Sequence, residues 1–216
     1  MHAFRRPSLK SGLLDPIHKK QASNWGEYMT EFSDEHHALS QFLWCDVQEF
    51  FCAYCERVIP PRDDEAFGNG HIEHRERIRD NQDRMGDWTN LFFSCNDPKS
   101  CGHFKDDQAG EFNIADIIDP AVEDPSRYFR YDGNGGVSPV EADAAHPQKA
   151  AETIRVFNLD KAPALRAIRR GIAATVEGFI QACDGHPSQQ QTDEFLHGVQ
   201  SLDCPSVYKS LLCEMI

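Results

Sequence analysis

The sequence predicts an α+β chain: a small, irregular, metal-stapled segment between an N-terminal arm with one helix and a mainly helical C-terminal region. Three observations predict it. Cys52 and Cys55 form a Cys-x-x-Cys pair, and a wider pair, Cys95 and Cys101, begins 40 positions after Cys55. Between the pairs, turn signals recur every few residues: Pro60-Pro61, Gly68-Asn69-Gly70, Gly86-Asp87 and Asn96-Asp97-Pro98. Beyond them, apolar residues return at helical spacing over 147–182. The divisions that follow are 1–51, 52–106 and 107–216.

Taken in order, residues 1–24 are polar, contain Pro7, Gly12 and Pro16, and read as an extended arm. In 25–51, Phe32, His36, Leu39, Leu43 and Val47 fall near one stripe, which predicts a helix with Ser33 as its N-cap ahead of Asp34-Glu35. The segment 52–106 is too broken by turns to bury much apolar surface, so a metal is expected to hold it. Within it HIEHRER begins as a short strand, and DWTNLFFSC is a turn leading into a helix or strand. Residues 107–150 read as loop, with Pro120, Pro125 and a Gly133–Gly136 turn cluster. Ala150, Ile154 and Phe157, then Leu165, Ile168, Ile172, Val176 and Ile180, predict two helices, with Pro163 marking a break near 158–162. Residues 190–216 predict another helix pair, broken at Pro205.

The 216 residues are 40% hydrophobic and 26% charged, the balance of a chain that buries a core. Net charge is −13, and the three divisions carry −2, −3 and −8. A protein that grips a phosphate backbone unaided presents a positive surface. Action on nucleic acid would therefore need local arginines or a partner. No run approaches the ~18 apolar residues of a membrane span. The basic start MHAFRRPSLK is not followed by an apolar stretch and does not read as a signal peptide. The expected compartment is the cytoplasm, where the eight cysteines are thiols or metal ligands rather than disulfides. Cys45, Cys183, Cys204 and Cys213 each stand alone and read as buried free thiols.

Zinc takes four tetrahedral ligands, and thiolates suit it. Cys52, Cys55, Cys95 and Cys101 supply four, with His103 or His71 as the variant that replaces a sulfur. Such a site is closed and holds structure rather than doing chemistry. Chemistry points to the residues it brackets. Glu73, when ionised, only accepts hydrogen bonds and suits a hard divalent cation. His74 titrates near neutrality and suits a general base. In a regular strand the two point to opposite faces, so they serve one site only where the strand ends or twists. His103 follows Cys101 by two residues and can come opposite Glu73. Asn90 can cap the next element or bond across the loop. Arg75 is the arginine best placed to meet a phosphate, while Arg75, Arg77, Arg79 and Arg84 together, interleaved with Glu76, Asp80 and Asp83, also read as a solvated mixed-charge face. The plain alternative for Glu73 is a surface carboxylate, and for His71 a structural or surface role.

The combined pattern CAYC…GHIEH…DWTNLFFSC…CGHFKD resembles the HNH nuclease family, whose fold is the ββα-metal finger. More narrowly it is similar to the HNH proteins of the Septu and retron-associated anti-phage systems, the PtuB group. The resemblance covers about Cys52 to Asp106, and extends less specifically to the FRRPSL arm and the tract TIRVFNLDKAPALRAIRRGI. It implies that His74 is the base that activates water, that Glu73 is the acidic cation ligand, and that Asn90 braces the loop and orients the base. It also implies that the four cysteines bind structural Zn²⁺. Many members read Cys-Asn-x-x-Lys where this chain reads Cys101-Gly102-His103-Phe104-Lys105, which makes His103 the expected last catalytic residue and cation ligand. The implied activity is hydrolysis of phosphodiester bonds in DNA, or in structured RNA such as tRNA, with Mg²⁺ (or Mn²⁺), and Arg75 or Lys105 holding the phosphate. The implied partners are a PtuA-like ABC-type ATPase and, in some systems, a retron reverse transcriptase with its msDNA, with the helical C-terminal region as a docking surface. The rival class is a non-catalytic zinc-stapled interaction module, which would keep the cysteines and need neither Glu73 nor His74.

Overall fold

Arg6 gives the N-terminal arm a fixed course. In the computed structural model, which describes residues 1, 3–61, 68–140 and 146–215, its guanidinium donates to the carbonyls of Trp88 (2.8 Å) and Leu91 (2.9 Å) and lies over the Phe92 ring. Phe4 meets Phe92 edge-on, and the Trp88 indole donates to the Pro7 carbonyl at 3.0 Å. The arm ends in the single turn α1 (Asp15–His18). The stretch expected to be one helix is two: α2 (Trp25–Glu31) and α3 (Ser33–Gln41), the latter widening into π-helical turns over Phe42–Val47. Ser33 is the first residue of α3 and no side chain caps it. The N-cap is instead Asn24, whose side chain accepts from the Glu27 N–H at 2.9 Å. Leu39, Leu43 and Val47 of the expected stripe are buried, and Phe32 and His36 are half-buried.

β1 (Gly70–His74) and β2 (Leu91–Cys95) pair antiparallel, with Gly70 opposite Cys95, Glu73 opposite Phe92 and His74 opposite Leu91. A short helix, α4 (Cys101–Asp107), packs on β2. The expectation that 52–106 buries little apolar surface is overturned. Cys52, Ala53, Tyr54, Cys55, Ile59, Ile72 and every residue of β2 are buried, in the middle of the core. The turn signals were real, but the apolar partners come from elsewhere in the chain. Gln48, fully buried, pins β2 to the first cysteine turn by donating to the carbonyls of Phe51 and Phe93 (2.9 Å each) and accepting from Phe93 N–H at 2.7 Å.

The region read as loop after 107 contains a hairpin, β3 (Phe129–Tyr131) and β4 (Val137–Pro139). Asp132 closes its turn by accepting from Asn134 and Gly136 N–H, and Gly135 has φ +79°, where a Cβ is disfavoured. The helices then follow the sequence closely: α5 (His146–Val156) and α6 (Pro163–Ala182) with Pro163 at the start of α6, then α7 (Gln189–Gly198) and α8 (Pro205–Met215). Ser188 and Gln191 form a reciprocal capping box at α7. Residues 62–67 and 141–145, inside segments read as irregular, lie outside the described residues. No helix among the described residues is long and apolar enough to cross a membrane.

The helical region is fastened to the cysteine turn. Tyr54 stacks on Phe157, ring centroids 3.9 Å apart. Cys101 N–H donates to the Phe157 carbonyl (2.9 Å), Cys204 N–H to that of Glu56 (2.8 Å), and Val58 N–H to Asp203 Oδ1 (2.7 Å). None of the eight cysteines is in a disulfide. Of the four solitary ones only Cys204 is buried; Cys45 and Cys183 are half-buried, and Cys213 is exposed, because α8 turns Val207, Leu211 and Leu212 to the core.

Candidate functional site

The four cysteines converge. The Sγ atoms of Cys52, Cys55, Cys95 and Cys101 all lie within 4.8 Å of one another and all four residues are buried, so they can hold a metal ion such as zinc. Local geometry explains the convergence. Glu56, with φ +61°, turns the chain back after Cys55, while the Cys95 N–H points at Cys52 Sγ (3.4 Å). Cys101, also at positive φ (+58°), swings the wide second pair into register. Tetrahedral zinc with Zn–S bonds of about 2.3 Å sets sulfurs about 3.8 Å apart, and Cys55 and Cys95 stand at 3.8 Å. Burial pushes the Cys52 thiol up, but hydrogen bonds from Cys101, Cys55 and Cys95 bring it well below its ordinary value. Burial and its part as donor push Cys101 well above. Arg57 stands beside the cluster, 3.3 Å from Cys95 Sγ and 3.1 Å from Asp97 Oδ2, where it would offset the negative charge of metal-binding thiolates.

Strand alternation splits the bracketed residues between two faces of β1. His71 and Glu73 share the face toward α4. Glu73 is 2% exposed, with Lys105 Nζ at 2.5 Å from Oε1 and His71 Nε2 at 3.4 Å from Oε2. Burial alone would push this carboxyl up; the Lys105 ammonium and the His71 hydrogen bond more than reverse that, to about 2. Lys105, fully buried, also reaches Asp106 at 2.9 Å and donates to the His74 carbonyl. His103 lies against His71, ring centroids 4.2 Å apart. Burial and the neighbouring His71 lower the His103 pKa; His71 is raised, because Glu73 outweighs its burial.

His74 faces the other way. Its Nε2–H donates to the Met85 carbonyl at 3.0 Å, and Trp25 of α2 meets its ring edge-on at 4.4 Å. The residue is 7% exposed, and burial lowers its pKa to about 4, so the imidazole is neutral at pH 7. Asn90 bonds across the loop that carries Met85: its amide donates to the carbonyls of Glu76 (2.9 Å) and Arg84 (3.3 Å), and its oxygen accepts from Glu76 N–H (2.7 Å). Asn90 thus fixes the loop, and the loop fixes His74.

No family model matches the chain, and no curated protein matches it.

The two residues expected at a phosphate are turned inward. Arg75 donates to the Ile117 carbonyl (3.1 Å) and faces Asp119 (3.5 Å), and Lys105 is buried under Glu73. Arg77 is buried as well, donating to the Gly110 carbonyl at 2.8 Å and to that of Lys105 beside Phe112. Arg84 pairs with Glu76 and Asp87 (2.8 and 2.7 Å), which leaves Arg79 as the exposed member of the arginine run. The four are therefore mostly internal struts rather than a solvated face. Sequence reasoning missed the buried ion pair of Lys105, the cover that Trp25 lays on His74, and Gly102. A Cβ at Gly102 would stand 2.9 Å from His71 Nε2 and inside contact distance of the Glu73 carboxylate. The signal for Gly102 was present in the tract Cys101-Gly102-His103: a glycine follows the last cysteine directly.

Proposed function

We propose that this protein is a metal-dependent endonuclease that hydrolyses phosphodiester bonds in nucleic acid. The observation that carries the proposal is that Glu73 and His74 are the last two residues of one strand, on its two faces, beside a four-cysteine cluster and a short helix. A divalent cation held by Glu73 would offset charge developing on the phosphate and on the leaving oxygen. His74 is neutral at physiological pH and held in one orientation by Met85, the state a general base needs. It takes the proton of a water whose oxygen bonds to phosphorus as the bond to the leaving oxygen breaks. Asn90 acts on His74 through the loop. Trp25 screens the ring, so substrate entry requires the indole to move.

The acidic charge supports delivery to substrate by a partner. A chain at −13, whose arginines near the site are mostly turned inward, has little with which to hold a phosphate backbone alone. An ABC-type ATPase of an anti-phage complex, with or without a retron reverse transcriptase and its msDNA, is the proposed partner. The test is cleavage of DNA and of tRNA with Mg²⁺ or Mn²⁺, alone and with that ATPase. His74→Ala should abolish cleavage while the fold and zinc content are kept; full activity in that variant would sink the proposal.

The alternative is a zinc-stapled interaction module. What favours it is that Glu73 already has a cation, the Lys105 ammonium, and that Trp25 covers His74. One bound zinc with no divalent-dependent cleavage of any nucleic acid, alone or with the ATPase, would decide for the module.

A further inference from the structure

His71 is the residue whose chemistry remains unassigned. It lies two positions before Glu73, on the same face of β1, with its side chain 25% exposed. Its Nδ1 stands 3.0 Å from Asn96 Oδ1, and the Asn96 amide donates to Asn69 Oδ1 at 3.2 Å, which leaves the Asn96 oxygen as the acceptor. The network therefore keeps a proton on Nδ1 and turns Nε2 toward Glu73 Oε2, 3.4 Å away, where a bound cation would take the place of the Nε2 proton that bonds Glu73. An imidazole oriented through its far nitrogen by a fixed acceptor is how metal-ligating histidines are held.

The spacing fits one ion. Two ligand atoms each about 2.1 Å from a cation, at angles between octahedral and tetrahedral, lie about 3.0–3.4 Å apart. Gly102 keeps the space open, since any side chain there would run into Nε2 and the carboxylate. Lys105 holds the other carboxylate oxygen and does not compete for this one. His103 packs its ring on that of His71, and among the described residues only the four cysteines bring three or more ligand atoms within 4.8 Å of one another. His71, Glu73 and His103 thus do not share one point.

We propose that His71 Nε2 and Glu73 Oε2 form a two-residue divalent-cation site in the space cleared by Gly102, with His71 rather than His103 as the second protein ligand. The assignment rests on the reading of Glu73 as a cation ligand made above. One nitrogen and one oxygen donor suit Mn²⁺ better than Mg²⁺.

The experiment is titration of the zinc-loaded, full-length protein with Mn²⁺, followed by electron paramagnetic resonance without nucleic acid. His71→Ala and Gly102→Ala should weaken Mn²⁺ binding about tenfold or more, with zinc content unchanged; His103→Ala should leave binding near that of the parent. Unchanged binding in His71→Ala, or loss confined to His103→Ala, overturns the proposal. Should a variant fail to fold, the unaltered protein decides. Paramagnetic broadening by Mn²⁺ that strikes the His71 ring first upholds the site, and an unbroadened His71 ring removes it. The two readings fail separately. Mn²⁺ binding through His71 in a protein that cleaves nothing keeps the site and sinks the nuclease. Cleavage that needs Glu73 but tolerates His71→Ala keeps the nuclease and sinks the site.

Discussion

The cysteine cluster and the Glu73 face flank the same pair of strands, yet they bury polar groups by different means. The cluster gathers four soft donors of one kind within 4.8 Å, with Arg57 as a countercharge beside it. The Glu73 face buries a carboxylate against an ammonium, with two imidazoles beside it. The first arrangement lacks a cation among its own side chains and can be completed by a metal. The second carries its own cation on one oxygen and presents the other to His71. A cluster of soft donors and a buried ion pair can therefore sit a few residues apart: donor type and the charge each carries separate them.

The largest effect should come from breaking the cluster. A structural zinc contributes about 10–16 kcal/mol of binding energy that is also folding energy, as much as the whole stability of a domain at about 5–15 kcal/mol. Cys55→Ser, or a strong chelator on the parent protein, should abolish the cooperative thermal transition and stoichiometric zinc together. The C-terminal helices should lose their order too, because Cys204 and Asp203 are bonded to the cysteine turn. A chelated protein with an unchanged melting temperature would reduce the cluster to buried thiols.

Next in size is the ion pair. Lys105→Met leaves the Glu73 carboxylate buried beside an apolar chain, a loss of about 3–5 kcal/mol in urea unfolding. Glu73→Gln combined with Lys105→Met should recover most of it, since no bare charge remains. A Lys105→Met protein as stable as the parent would mean that Glu73 is held by something other than the ammonium.

The two regions also differ in how well the sequence revealed them. The cluster was legible because a Cys-x-x-Cys turn and a second pair place sulfurs by local geometry, whatever the rest of the chain does. The helices after 146 were legible for the same reason: their period and their prolines are local. Ser33 misled because the cap of one helix was assigned to the next; Asn24 does that work. Arg75 and Lys105 misled because charge near a candidate site reads as substrate-facing until burial is known. The Glu73 face depends on strand alternation, on a missing Cβ at position 102 and on a lysine from a third element. No window of sequence contains all three.

The smallest predicted effect concerns the opposite face of β1. His74 is buried neutral, with its pKa lowered to about 4, against about 6.5 in an unfolded chain. Above pH 6.5 neither state takes the proton, and the residue does not make stability depend on pH. Between about 6.5 and 4 the unfolded chain takes it first, so stability falls as pH drops through that window, by up to about 3 kcal/mol. His36, which meets the same Trp25 indole, is lowered to about 4 by burial and by His37, and acts in the same direction. His74→Gln should therefore flatten only part of the decline measured by urea unfolding at successive pH values, leaving the share of His36. Glu73 acts lower down. Its carboxyl is held at about 2 and contributes stability above its unfolded value near 4.3, lost as pH falls toward 2. A His74→Gln curve that parallels the parent from pH 7 to 4 would mean that the ring is solvated, and with it the screening by Trp25 on which the substrate-entry requirement depends would fall.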